Sequence, residues 1–220
     1  MNWRRDKAIW YNPFEYLAGY KALLIGLGLM VLASLAGTLT QIWFPGALDL
    51  KVAYEGSYGV HLVTSVLSWL IVVAVLYPLA RGLSSSKIRL VDMAGTLALA
   101  RAPQLVAGLS GIGGLSSKAV NNWLYHITEE LQGAIPMDLP GRLSPVEMQG
   151  WEWFLAINLL GLQLLTIVWM TALMYHAYRV SANLKGTRAG VSFVVGMLIA
   201  EALSVFAILR LIVPLLQAGS

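Results

Sequence analysis

Long apolar stretches separated by short polar connections dominate the chain, and their length predicts helices rather than strands. A helix crossing a hydrocarbon layer of about 30 Å needs roughly 20 apolar residues. Five stretches qualify, at about 22–44, 61–80, 90–115, 151–178 and 190–216. The first ends at Pro45-Gly46. Before it, Asn12-Pro13-Phe14-Glu15 has the form of a helix start, with an N-cap side chain, a proline at the first helical position and Glu at N3. Aromatic and basic residues surround that start, so residues 1–21 are expected to form an interfacial amphipathic segment. Residues 22–220 then form the five-helix domain.

Between the third and fourth stretches, Val120, Trp123, Leu124, Ile127 and Leu131 recur at helical spacing opposite Asn121, Asn122, Glu129 and Glu130. That pattern predicts a second surface helix. Pro136, Pro140, Gly141 and Pro145 break the chain after it. Ser84–Ser86 and Ser144-Pro145-Val146-Glu147 are the expected caps of the third and fourth stretches.

Composition moves this from a buried core to a lipid solvent. Hydrophobic residues make up 58% of the chain and charged ones only 12%, more apolar than a soluble domain of this size needs. The fold class is therefore all-α, a polytopic membrane helix bundle. The first stretch is too long for the apolar region of a signal peptide, so it is read as a retained anchor.

Charge sets the orientation. Arg4, Arg5, Lys7, Lys21, Arg81, Lys87, Arg89, Arg179, Lys185 and Arg188 fall on one side, against Lys51, Lys118 and Arg142 on the other. Basic residues are retained in the cytosol during insertion. The N-terminus is thus expected inside and the C-terminus outside, in the cytoplasmic (inner) membrane if the source is prokaryotic. The formal charge of +4 is dispersed rather than gathered on one face, which argues against a nucleic-acid partner.

Candidate chemistry is sparse. The chain has no cysteine, which excludes disulfides and thiolate ligands, and His61, His126 and His176 lack the spacing of a metal site. No phosphate-binding or dinucleotide loop is present, so no cofactor, metal or catalytic residue is assigned. The informative residues are Arg101 and Glu201, because a charge deep in a bilayer costs roughly 2.5–3.5 kcal/mol even on insertion scales. Arg101 lies twelve residues beyond Arg89, and Glu201 thirteen beyond Arg188. At 1.5 Å per residue their depths match, at roughly 18–20 Å from the basic ends. The expectation is a direct Arg101–Glu201 pair near the midplane, with Gln104 and Gln163 as further hydrogen-bonding members of the cluster.

Pro103 is expected to kink the third helix by freeing the carbonyl of Leu99. Gly26, Ala33 and Gly37, and Gly196 with Ala200, are expected to permit close helix contact, while Gly108 and Gly111 continue the face of Gln104. Gly108-Leu109-Ser110-Gly111 looks like the nucleophile motif of rhomboid intramembrane proteases, with His61 as the one histidine at a comparable level.

Five spans, Asn12-Pro13 before the first, and Gly95-Thr96-Leu97-Ala98-Leu99-Ala100-Arg101-Ala102-Pro103 in the third together resemble the Yip-type family of Ypt/Rab-interacting membrane proteins, particularly its short prokaryotic branch. The likeness runs from about Asn12 to Leu216. It implies five spans and a cytoplasmic N-terminus, with eukaryotic members serving membrane traffic alongside Rab-type GTPases. The long N-terminal region of those members is missing here, so the fold is carried over and the GTPase partner is not. The expected function is non-enzymatic membrane organisation or partner binding, the partners being the bilayer and a membrane protein or second copy. The alternatives are a small transporter or channel using Arg101 and Glu201, and an intramembrane hydrolase using Ser110.

Overall fold

The computed structural model describes residues 12–132, 146–208 and 210, with side chains omitted for 129–132. Residues before Asn12, the breaks between Pro136 and Pro145, and the end of the last apolar stretch at Leu216 lie outside the described residues. The architecture is helical: α1 (Gly19–Thr40), α2 (Tyr58–Leu83), α3 (Leu90–Leu99), α4 (Pro103–Ser110), α5 (Leu115–Gln132), α6 (Gly150–Ala182) and α7 (Gly186–Ala207). Four of these, α1, α2, α6 and α7, are long and apolar enough to cross a membrane.

The third apolar stretch is not one helix. Pro103 has no N–H to donate, and at residues 101 and 102 the ladder tightens to three-residue bonds, with Arg101 N–H donating to Ala98 O at 3.2 Å and Ala102 N–H to Leu99 O at 3.0 Å. The Leu99 carbonyl freed by proline is thus taken up locally. The expected kink is a full break, with Pro103 starting α4 and Arg101 in the gap.

This broken helix sits at the centre of the bundle. Met93 to Leu99 are all buried, against α1 on one side and α2 and α6 on others. Small residues bring α1 close: a side chain at Gly26 would run into the backbone of Ala98 and Leu99, and one at Gly95 into that of Gly19. Gly108 lies against Ala33, Ala36 and Gly37. The expected stripe of small residues on α1 is therefore the seam against α3 and α4.

Outside that seam, the bundle has its large apolar side chains on the surface. On α6, Ala156, Gln163 and Thr166 are buried, while Ile157, Leu164, Leu165 and Val168 are more than 60% exposed. Exposed apolar area on this scale is foreign to a monomer in water.

Three local expectations are corrected. Asn12 does not cap a helix; its side-chain amide donates to Glu15 Oε1 at 2.9 Å, and Pro13–Glu15 make a single 3-10 turn. Ser84 ends α2 rather than starting α3, whose N-cap is Arg89. Ser144 lies outside the described residues, and helix α6 is opened by Gln149, whose N–H donates to Glu152 Oε2 at 2.8 Å in a reciprocal capping box.

The surface helix α5 is present, and the face it buries is not its apolar one. Ser116, Ser117, Ala119 and Asn122 are buried, while Trp123 is 61% exposed. Asn122 clasps the chain where it approaches α6, donating to Val146 O and accepting from Val146 N–H, both at 2.7 Å. Small and hydrogen-bonding residues pack inward because contact with α6 needs close approach. The apolar residues are left to the surroundings.

Candidate functional site

The segment between α1 and α2 carries the feature that organises the polar residues. After Gln41, in the left-handed region at φ 59°, the chain turns back as a short antiparallel hairpin. Strands β1 (Ile42–Trp43) and β2 (Lys51–Val52) pair in the register Ile42 with Val52 and Trp43 with Lys51. Residues 42–47 are buried. Trp43 stacks on Tyr54 at 4.0 Å and donates its indole N–H to Thr64 Oγ1 at 2.9 Å. The seven residues joining the strands dip between α2, α4 and α7.

Irregular backbone inside an apolar bundle needs partners for its N–H and C=O groups, each of which costs on the order of a few kcal/mol if left unpaired. At the hairpin tip side chains provide them. Arg101 Nη2 donates to Gly46 O at 3.1 Å and Ala47 O at 3.4 Å. Ala47 N–H donates to Ser204 Oγ at 3.1 Å, and Leu48 N–H to Glu201 Oε2 at 2.7 Å. The cation takes the carbonyls and the anion takes an amide.

Arg101 is 1% exposed, and its other terminal nitrogen, Nη1, donates to Ser65 O at 2.8 Å and Ser68 Oγ at 2.7 Å. One planar group therefore fastens the hairpin to α2 from the break between α3 and α4, using the fork geometry that distinguishes arginine from lysine. Glu201 closes the other side against Gly46, where an added methyl group would come 2.5 Å from Glu201 Oε1. Ser204, one turn further along α7, donates back to the Glu201 carbonyl at 3.0 Å.

The expected Arg101–Glu201 pairing takes a different form. The two residues converge on one short segment, as their matched depths implied, but the only ion pair among the described residues is Arg89–Asp92 at 3.8 Å. Arg101 and Glu201 meet through the peptide groups of Gly46, Ala47 and Leu48. Ser65, Ser68 and Ser204 complete the set and were not singled out in the sequence. Their signal was small hydroxyl residues at i, i+3 on α2 and one turn after Glu201 on α7.

The two glutamines part company. Gln104 is buried and lines a gap with Phe44, Leu48, Asp49, Thr166, Ile167 and Met170 that is too narrow for a water molecule. Gln163 stands apart from the clamp, donating from Nε2 to Ser110 Oγ at 3.2 Å and Ser116 Oγ at 3.3 Å.

Ser110 donates its own proton to Ala107 O at 2.7 Å. His61 is buried with neither ring nitrogen hydrogen-bonded among the described residues. A serine nucleophile needs a base within hydrogen-bond reach, and these two residues do not make that contact. No group of three metal-binding side chains occurs among the described residues. The chain matches no protein-family model, no curated protein and no solved structure.

Proposed function

We propose that the chain is a non-enzymatic, multi-pass membrane protein that works by binding, either a membrane-protein partner, a second copy or lipid, rather than by moving a solute. In this reading α3 and α4 together form the third of five spans, the basic connections face the cytosol and the C-terminus lies outside. The Yip-type resemblance contributes the five-span arrangement and a role in membrane organisation. It contributes no GTPase partner.

The observation that carries the proposal is the use made of Arg101 and Glu201. A transport path needs charged groups facing a space that ions or solutes can enter. Here both charges are directed at the backbone of the hairpin, and the narrow gap at Leu48 and Gln104 admits no water. Hydroxyls from α2 and α7 fill the remaining positions. Such a clamp rigidifies a scaffold; it does not open one.

Proteoliposomes carrying the purified chain should show ion and small-solute flux no greater than empty vesicles. Flux above that level, altered by neutralising Arg101 or Glu201, would establish the transporter reading instead. The topology has its own test: a reporter active only outside the cytosol, fused after Ser220, should be active. Activity of a cytosol-dependent reporter at that position would instead require an even number of crossings.

A further inference from the structure

Helix α5 leaves a gap against α6. Together with strand β2 the two helices enclose an apolar cavity of about 620 Å³, within the roughly 300–1,000 Å³ common for small-molecule sites. Val52 comes from the hairpin, Ala119 and Trp123 from α5, and Trp153, Leu160 and Gln163 from α6. Ile157 and Leu164, also on its wall, belong to the exposed apolar face of α6, so the cavity is continuous with the surroundings of that face.

Depth identifies what those surroundings are. Gln163 lies sixteen residues from Arg179, about 24 Å along the helix from its basic end, and therefore inside a hydrocarbon layer of about 30 Å near its outer edge. At that level the medium is lipid chains.

Gln163, on the wall of this space, carries one polar atom without a partner among the described residues. Ser110 donates its own proton to Ala107 O, and Gln163 Nε2 donates to both Ser110 Oγ and Ser116 Oγ, which sets the orientation of the carboxamide. Its oxygen is then buried with no hydrogen-bond partner among the described residues. An acceptor held in that state wants a donor.

We infer that the cavity between α5, α6 and β2 binds one hydrocarbon chain of a hydroxyl-bearing lipid, entering sideways from the outer leaflet, with the hydroxyl donating to Gln163 Oε1. The inference rests on the membrane-spanning, lipid-binding reading above. Its ligand is of the diacylglycerol kind, an apolar chain with a neutral hydroxyl near the interface. A charged headgroup has no counterpart on the walls.

Trp123 and Trp153 make the site observable, since bromine on a lipid chain quenches tryptophan fluorescence on contact. The full chain in phosphatidylcholine nanodiscs, titrated with diacylglycerol brominated on its chains, should show saturable quenching above the linear background from random lipid contact. Trp153→Phe should reduce its amplitude. Ala119→Phe should remove the saturable phase while circular dichroism stays unchanged; Leu160→Phe fills the cavity from the opposite wall and serves if Ala119→Phe does not fold.

Gln163→Leu should weaken binding by roughly 2–10-fold, the range of one hydrogen bond. Acetylating the diacylglycerol hydroxyl should weaken wild type by the same factor and leave Gln163→Leu unaffected. Quenching that stays linear, or saturable quenching unchanged by both filling variants, overturns the site. Equal binding of free and acetylated lipid overturns the role of Gln163. None of these readouts depends on flux, so failure here and failure of the non-transporting reading are distinguishable.

Discussion

Arg101→Leu is expected to destabilise the fold by roughly 3–5 kcal/mol, the cost of breaking a buried charged network by removing one member. That loss should appear as collapse of the monodisperse fraction on heating in mild detergent. The change strands two carbonyls of the hairpin tip, removes the donor to Ser65 O and Ser68 Oγ, which keep only their bond to each other at 3.0 Å, and takes the Arg101 cation away from Glu201. Arg101→Lys should be intermediate, because an ammonium keeps the charge but cannot reach both α2 and the hairpin with a rigid fork.

The same network separates two ways in which an arginine and a glutamate can depend on each other. Were they a direct pair, Arg101→Glu combined with Glu201→Arg would restore what either reversal loses. With the hairpin between them it should not, since a carboxylate cannot donate to the Gly46 and Ala47 carbonyls and a guanidinium cannot accept from the Leu48 amide. Glu201→Gln, which keeps an acceptor, should be milder than Glu201→Ala. Thermal unfolding of the double reversal matching wild type would refute the clamp.

What the sequence made legible follows from the ranges over which its signals act. Apolar length marked α1, α2, α6 and the start of α7 within a few residues, because that signal is local and repeated. The small residues of α1 and the matched depths of Arg101 and Glu201 were legible too, since both follow from helical geometry alone. The hairpin was not. Its strands are two residues each, too short for an alternating pattern, and Pro45-Gly46 read as a helix end. Its reason for being buried lies on α4's leading turn, α2 and α7, up to 157 residues away in sequence.

Which face α5 buries was not legible for a related reason. Amphipathic periodicity says which side differs from the other, not which solvent lies beyond it. With water outside, Trp123 and Leu124 belong inward; with lipid outside, the buried side goes to whatever permits close contact, here Ser116, Ala119 and Asn122. The break at Arg101 needed a third kind of information. Pro103 alone licenses a kink, and the distinction between a kink and two helices depends on the side chain placed in the gap.

Gly26→Val is expected to be strongly damaging although it lies away from the clamp, costing at least the roughly 1–3 kcal/mol of an overpacked core. A Cβ at Gly26 would lie 2.5 Å from both the Ala98 carbonyl carbon and the Leu99 nitrogen, and main chain cannot rotate aside as a side chain can. Relief requires α3 to move away from α1. Ala98 and Leu99 are the last full turn before Arg101, so that movement pulls the guanidinium from the hairpin carbonyls and couples the seam to the clamp. Gly28, two residues on in the same helix, has nothing within 4 Å of the equivalent position, so Gly28→Val serves as the matched control and Gly28→Ala should if anything stabilise the helix. Measured by thermal unfolding in detergent, Gly26→Val and Arg101→Leu should also combine to less than the sum of their separate effects, because the first already loosens what the second removes. Full additivity would mean that the α1 seam and the hairpin clamp are independent.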